Sequence, residues 1–212
     1  MKIKSFTFNN FQENTYVLYD ETKECIIIDP GCYSQEEKII LSEFIINNKL
    51  NPVKLINTHC HIDHVLGNQY AIKKWSLDLY LHKDSIPLLK QTKNISEVYG
   101  FYDFEESPEP KHYLEHKQII KFGLQEINVL HTPGHAPGHI CLYNKTSNLL
   151  IAGDLIFKGS VGRTDLPGGN YETLINSIKT EIILLPENTK IYSGHGPSTI
   201  LGNEKKNNPY MQ

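Results

Sequence analysis

Three histidines and an aspartate crowd into one short segment of the 212-residue chain, Thr58-His59-Cys60-His61-Ile62-Asp63-His64. If the segment is extended, His59 and His61 share one side, and a turn after them can swing Asp63 and His64 toward a second point. Imidazole nitrogen and carboxylate oxygen are ligands for zinc and similar ions, and a catalytic site also leaves a position open for water. The segment therefore predicts two halves of a catalytic metal site.

Three later segments end in the same kinds of ligand, each after an apolar run: His135 in TPGH, Asp154 in GD and His195 in SGHG. The glycines beside them permit tight backbone turns and close approach to an ion. Loops anchored on rigid strands are where functional groups collect. We therefore expect these three residues to complete the metal site.

Hydrophobic periodicity predicts the elements that must position these ligands. A capping box formed by Ser34 and Glu37 predicts the start of a helix. A buried strand should run straight into the histidine segment, with a helix after it. The expected strands cover residues 2–8, 14–20, 24–31, 53–59, 77–82, 118–122, 125–134, 139–144, 149–155 and 189–194, and the expected helices cover 34–47, 64–75, 85–91 and 171–184. Two β-rich halves with helices predict an α/β fold, an αββα sandwich of two mixed β-sheets with outer helices, in a single domain over residues 1–212.

The ordered motifs HCHIDH, PGH, GD and GHG resemble the signature of the metallo-β-lactamase superfamily. The resemblance implies that His59, His61 and His135 bind one metal ion, that Asp63, His64 and His195 bind the other, and that Asp154 bridges the two. The segment HTPGHAPGH is similar to the glyoxalase II branch, the hydroxyacylglutathione hydrolases, in a short form without the C-terminal helical domain. The sequence GRTD at residues 162–165 also resembles the persulfide dioxygenases.

This resemblance implies a hydrolase with two divalent metal ions per chain, zinc in the first place and iron or manganese as alternatives. Two such ions would lower the pKa of a bridging water toward ~7 and polarise the carbonyl that the resulting hydroxide attacks. The substrate would be an anionic thioester, with Asp63 catalytic as well as ligating. Arg163 would bind the anionic group, unless Asp165 neutralises it. The alternatives are a hydrolase of another ester or a lactone, and a mononuclear iron persulfide dioxygenase that uses His59, His135 and Asp154.

Several residues near these motifs have two interpretations. Asp29 is either a turn residue or a hydrogen-bond partner of a metal-bound histidine. For His139 we favour an ordinary structural role over that of a hydrogen-bond donor near the PGH turn, and for Cys60 we favour packing away from the site over metal binding. For residues 166–170 we favour a turn and helix entry over an anion cradle. The aromatic residues between 99 and 104 line a substrate pocket or cover the core.

The amino-acid composition limits the classes of binding partner and the cellular compartment that we expect. The net charge of −3 gives no pull toward nucleic acid or anionic membranes, and no apolar run is long enough to span a bilayer. The first twenty residues read as a strand rather than a signal peptide. Four cysteines without a CxxC pair suit a reducing compartment. We therefore expect a cytoplasmic enzyme that acts on a small molecule.

Overall fold

The computed structural model describes residues 1–211. The chain separates into two compact units, one formed by residues 1–113 with 121–125 and the other by residues 114–120 with the chain from 126 onward. The single-domain organisation expected for residues 1–212 stays a prediction.

The first unit contains a mixed six-stranded sheet with the order β1-β2-β3-β4-β5-β6. Strands β1 to β3 form an antiparallel meander, and β4 to β6 continue from β3 in parallel. The first three strands expected from the sequence are thereby confirmed. The elements are β1 (Lys2–Phe8), β2 (Glu13–Tyr19), β3 (Glu24–Ile28), α1 (Gln35–Asn47), β4 (Asn51–Ile56), α2 (Ile62–Val65), α3 (Asn68–Trp75), β5 (Leu79–Leu81), α4 (Ile86–Val98) and β6 (His112–Tyr113).

Helix α1 begins where the capping box predicts. The backbone N–H of Glu37 donates to Ser34 Oγ at 3.2 Å, and the backbone N–H of Ser34 donates to the Glu37 carboxylate at 3.0 Å. Two N–H groups that the first helical turn would leave without acceptors are thus satisfied by side chains.

The helix expected over residues 64–75 is divided into α2 and α3. The break contains Gly67, whose backbone N–H donates to Pro30 O at 2.7 Å. A Cβ at this position would lie 2.5 Å from Cys32 Sγ, so only glycine allows the loop after β3 to approach this closely. The break results from this tertiary contact, which hydrophobic periodicity does not reveal.

Helix α4 is longer than the expected helix over residues 85–91. Its buried face continues through Thr92 and Ser96, which are polar and therefore weaken the apolar pattern. Each hydroxyl donates to a carbonyl three residues earlier, at 2.7 Å, so these side chains are buried at low cost.

The second unit contains the other six-stranded sheet, with the order β14-β13-β10-β9-β8-β7. Strands β10 and β13 are parallel, and β8, β9 and β10 are antiparallel to their neighbours in turn. The elements are β7 (Ile119–Phe122), β8 (Gln125–His131), β9 (Ile140–Asn144), β10 (Leu149–Gly153), β11 (Ile156–Phe157), β12 (Ser160–Val161), α5 (Tyr171–Ser177), β13 (Lys190–Ser193), β14 (Thr199–Ile200) and α6 (Leu201–Asn207).

A continuous apolar stripe anchors the last long helical segment. Helix α5 continues as a π-helical turn over Ile178–Ile182, in place of the single helix expected over residues 171–184. Leu174 and Ile178 are fully buried in one cluster with Leu150 and Ile191 of the sheet.

The α/β class with two mixed sheets and helices is confirmed. None of the helices in the described part of the chain is long and apolar enough to cross a membrane.

Asp20 ties the turn at residues 123–125 to the end of β2 and gives a prediction for acid stability. Burial acts to raise the pKa of this carboxyl, but hydrogen bonds from Thr22, Leu124 and Gln125 lower the pKa to about 2. Because the folded-state pKa lies below the ordinary value of 3.8, the ionised form stabilises the fold above pH 3.8, and this contribution is lost as the pH falls through about 2. We expect Asp20→Asn to lower the free energy of unfolding by about 2 kcal/mol at pH 7 and by much less near pH 2.

Urea unfolding at both pH values measures this difference. The exposed neighbour Glu21 supplies the control variant Glu21→Gln, which should unfold like the wild-type protein. An equal loss of stability in Asp20→Asn at both pH values would contradict the assignment to the carboxylate charge.

Candidate metal centre

The histidine-rich segment lies in the first unit, directly after β4. The ring of His59 contacts the rings of both His61 and His64, with centroid separations of 4.8 and 4.1 Å. The Oδ2 atom of Asp63 lies 3.5 Å from His64 Nε2. The first unit therefore brings four of the predicted ligands together. The turn that the sequence requires between the two pairs is helix α2, which begins immediately after His61.

Asp29, which follows β3, is a hydrogen-bond partner of this segment. Its carboxylate accepts from the backbone N–H of Thr58 at 2.7 Å and from Thr58 Oγ1 at 2.5 Å, and it lies 3.1 Å from His64 Nδ1. Its φ of 48° also makes it the turn residue at the end of the strand. Asp29 is therefore a turn residue and also a hydrogen-bond partner of His64, and the metal-bound state of that histidine stays a prediction.

Glu13 adds a second buried carboxyl behind His64. It is fully buried, its Oε2 accepts from Thr15 Oγ1 at 2.9 Å, and its Oε1 lies 3.9 Å from His64 Nδ1. Burial raises the pKa of Glu13 well above its ordinary value, and the neighbouring charge of Asp29 adds to the effect. The sequence analysis missed this residue, whose only signal is a glutamate at the start of an apolar strand.

The second unit collects the other three predicted ligands. Strands β10 and β13 are parallel neighbours that end at Gly153 and Ser193, so Asp154 and His195 leave the same edge of the sheet. Oδ2 of Asp154 lies 3.5 Å from His195 Nε2 and 3.6 Å from His135 Nε2. One carboxylate oxygen thus faces both imidazoles.

Hydrogen bonds behind these residues fix their orientation. His135 Nδ1 lies 2.7 Å from the carbonyl oxygen of Arg163, which can only accept. His139 is fully buried, and its Nε2 accepts from the backbone N–H of Asp154 at 3.1 Å while its Nδ1 lies 3.0 Å from Thr132 Oγ1. The role that His139 plays here is to hold the backbone of Asp154.

The chemistry of these donors fits divalent metal ions. The partners of His64 and His135 can accept a hydrogen bond from Nδ1, so a neutral ring at either position would present the lone pair of Nε2. Each of these lone pairs faces a carboxylate oxygen, of Asp63 at 3.5 Å and of Asp154 at 3.6 Å. Two electron-rich atoms at this separation repel each other unless a cation lies with them, and nitrogen and oxygen donors of this kind suit zinc, iron or manganese.

A cavity of about 580 Å³ opens beside the ligands of the second unit. Its wall contains His135, Asp154, His195, Phe157, Lys158 and Arg163. The guanidinium of Arg163 donates to both carboxylate oxygens of Asp165, at 2.7 and 2.6 Å. The hydrogen bond from Arg163 is the main cause that lowers the pKa of Asp165 to about 2. The internal neutralisation considered for Arg163 is therefore present, and its role in substrate binding stays a prediction.

Three other segments have clear structural roles. Cys60 is buried, and burial raises the pKa of its thiol. In the loop over residues 166–170, Asn170 caps α5 by accepting from Thr173 N at 2.8 Å, which supports the helix-entry interpretation. Within the aromatic segment, Phe101 is buried with its ring centroid 4.8 Å from that of Tyr33, whereas Tyr102 is 81% exposed.

The model of the metallo-β-lactamase superfamily matches residues 9–195. The chain belongs to this superfamily. It is 32% identical to the hydroxyacylglutathione hydrolase GloC of Haemophilus influenzae, over 100% of this chain and 98% of GloC. Among solved structures, BLEG-1 B3 metallo-β-lactamase has a TM-score of 0.87 at 32% identity and covers all of both chains. The di-iron-bound form of TTHA1623 has a TM-score of 0.86 at 34% identity, over 98% of this chain and 99% of that one.

Membership confirms the expected metallo-β-lactamase fold and makes the chain a metal-dependent hydrolase of this superfamily. Divalent metal binding and a small-molecule substrate follow at the level of the family. Superfamily membership does not assign the chain to the glyoxalase II branch. It also does not give the identity or number of the metal ions, or a thioester substrate.

Proposed function

We propose that the protein hydrolyses anionic thioesters of the hydroxyacylglutathione kind with two divalent metal ions. The observation that carries the proposal is the position of the Asp154 carboxylate, 3.6 Å from Nε2 of His135 and 3.5 Å from Nε2 of His195. A carboxylate that faces two imidazoles in this way suits a ligand shared between two ions. The 32% identity to GloC over the whole chain supports the substrate class.

The ligand sets follow the resemblance of the motifs to the superfamily signature. One ion would be held by His59, His61 and His135, the other by Asp63, His64 and His195, with Asp154 shared between them. When bound, two divalent ions supply a hydroxide nucleophile at neutral pH and polarise the carbonyl under attack.

The chain's own residues have separate tasks in this proposal. Asp63 would take the proton that the water loses on becoming hydroxide, orient that hydroxide, and return the proton to the departing thiolate, while Asp29 keeps the proton of His64 on Nδ1. Arg163 contacts the anionic part of the substrate. All four cysteines are free and buried, which supports our assignment of the protein to the reducing cytoplasm.

Metal analysis and thioester hydrolysis together test the proposal. The protein would be purified without chelators or an immobilised-metal column, its metal content determined, and the release of free thiol from a hydroxyacylglutathione measured. We expect about two zinc-like ions per chain and hydrolysis of the thioester. One iron ion per chain with oxygen uptake on a persulfide, and no thioester hydrolysis, would instead favour the dioxygenase alternative and overturn the proposal.

β-Lactam hydrolysis is a second candidate, because BLEG-1, a B3 metallo-β-lactamase, is 32% identical over its full length. A β-lactam therefore belongs in the same assay panel. If the β-lactam is hydrolysed and every thioester is left intact, this candidate replaces the first.

Arg163 gives a prediction about substrate charge. We expect Arg163→Ala to raise KM two- to fivefold for a carboxylate-bearing thioester. KM for a neutral thioester should stay unchanged within experimental error. The effect is modest because the guanidinium is exposed and already paired with Asp165. Steady-state kinetics with the two substrates measures the difference.

Asp165→Asn is the matched variant, because it removes the compensating charge and keeps the shape. It should lower KM for the anionic substrate if Arg163 contacts that substrate. Equal effects of Arg163→Ala on both substrates would exclude Arg163 from recognition of the anion.

A further inference from the structure

A short hairpin carries part of the cavity wall in the second unit. Strands β11 and β12 pair antiparallel, with Phe157 opposite Ser160, and a two-residue turn of Lys158 and Gly159 joins them. Gly159 has a φ of 74° and a Cβ there would meet no atom within 4 Å, so the backbone conformation, not crowding, favours glycine. Phe157, Lys158 and Ser160 all line the cavity beside the candidate metal ligands.

A buried carboxylate of helix α6, that of Glu204, forms a hydrogen bond with the backbone of this turn. Glu204 is only 3% exposed, and it accepts from the backbone N–H of Gly159 at 2.8 Å, from Thr199 Oγ1 at 2.5 Å and from Asn208 Nδ2 at 3.0 Å. The amide of Asn208 also donates to the carbonyl of Ser160 at 3.0 Å. The bonds from Gly159 to Glu204 and from Asn208 to Ser160 thus hold the backbone of this turn in one position.

The charges around the cavity make Lys158 different from Arg163. The guanidinium of Arg163 is bound by both oxygens of Asp165. Lys158 is exposed, and among the ion pairs formed by residues 1–211 none involves its ammonium group. The cavity wall therefore contains one basic side chain whose charge is compensated internally and one whose charge is available to a ligand.

We infer that Lys158 binds the carboxylate of an anionic thioester, and that Glu204 and Asn208 are positioning residues for it. The inference rests on the proposed function and deepens it, because it names a second basic residue, beside Arg163, that selects the charge of the substrate. An ammonium group on a fixed turn attracts a carboxylate without needing the planar geometry of a guanidinium. Phe157, next to it on the same wall, offers an apolar surface to the uncharged part of the substrate.

The test compares two thioesters of equal length in the metal-loaded protein, one ending in a carboxylate and the other in a carboxamide. We expect Lys158→Met to raise KM for the carboxylate substrate about fivefold and to leave KM for the carboxamide substrate within twofold, with kcat unchanged for both. Lys158→Glu should raise KM for the carboxylate substrate further, to about tenfold or more, because it replaces an attraction by a repulsion. Added salt should narrow the difference between the substrates in the wild-type protein, because it screens exposed charges.

Lys179→Met, an exposed lysine on the π-helical turn, is the control and should change neither KM. Asn208→Ala tests the positioning role, since it should reduce discrimination between the two substrates without loss of bound metal. Glu204→Gln keeps the shape of the side chain and should act in the same direction.

The outcomes separate the two claims. If the wild-type protein hydrolyses both thioesters and Lys158→Met changes both KM values equally, the inference about Lys158 is overturned and the proposed function stands. If the wild-type protein carries two metal ions and hydrolyses neither thioester, the proposed function is overturned and the inference falls with it.

Discussion

Asp63→Ala is expected to lower thioester turnover by about a thousandfold or more while the protein remains folded. In the proposed mechanism the variant loses a metal ligand and the group that orients the attacking water, and a positioned base alone contributes about 10²–10⁴-fold. The fold should survive because Asp63 lies at the start of the four-residue helix α2, outside the sheet. The measurements are kcat, metal content per chain and thermal unfolding.

Asp103→Ala is the matched control, because Asp103 is an exposed aspartate in the same unit. It should retain wild-type turnover. Full activity in Asp63→Ala would remove this residue from the site, and a loss of folded protein would show that its main role is structural.

Asp29→Ala has the second large expected effect, on both stability and metal affinity. The variant leaves the backbone N–H and the hydroxyl of Thr58 and Nδ1 of His64 without the acceptor that they share. Because buried donors without acceptors are costly, we expect a loss of about 3–5 kcal/mol in the free energy of unfolding. We also expect a 10–100-fold loss in metal affinity, because the orientation and proton of His64 are no longer fixed.

Asp29→Asn separates the charge from the backbone conformation. Asparagine tolerates the φ of 48° at this position, but its amide group presents a donor where Asp29 has an acceptor. Chelator competition and urea unfolding would compare the two variants with the wild-type protein. Unchanged metal affinity in both would contradict the assigned role of Asp29.

The sequence predicted the parts of the fold that depend on neighbours along the chain. Strands β1 to β3 were predicted because apolar and β-branched residues recur within short segments, and α1 because Ser34 and Glu37 are three residues apart. Helix α4 was predicted too short, since Thr92 and Ser96 conceal its buried face. Helix α6 and the hairpin of β11 and β12 were not predicted, because a seven-residue polar helix and two-residue strands have too little periodicity.

The candidate site divides in the same way. His59, His61, Asp63 and His64 are close together in sequence, and Asp154 and His195 each follow an apolar run beside a glycine, so local pattern was sufficient to propose them. The supporting contacts join residues far apart in the chain, such as Asp29 with His64 and Glu204 with Gly159.

The sequence by itself thus determined the strands that carry the candidate metal ligands and gave a prediction of those ligands, because strand periodicity and ligand chemistry are local properties. Only the tertiary structure decided which groups face the Nδ1 atoms of His64 and His135, which carboxylates are buried and which basic side chain of the cavity is paired with a carboxylate. Those properties depend on hydrogen-bond distances and burial between residues whose separation in sequence carries no signal.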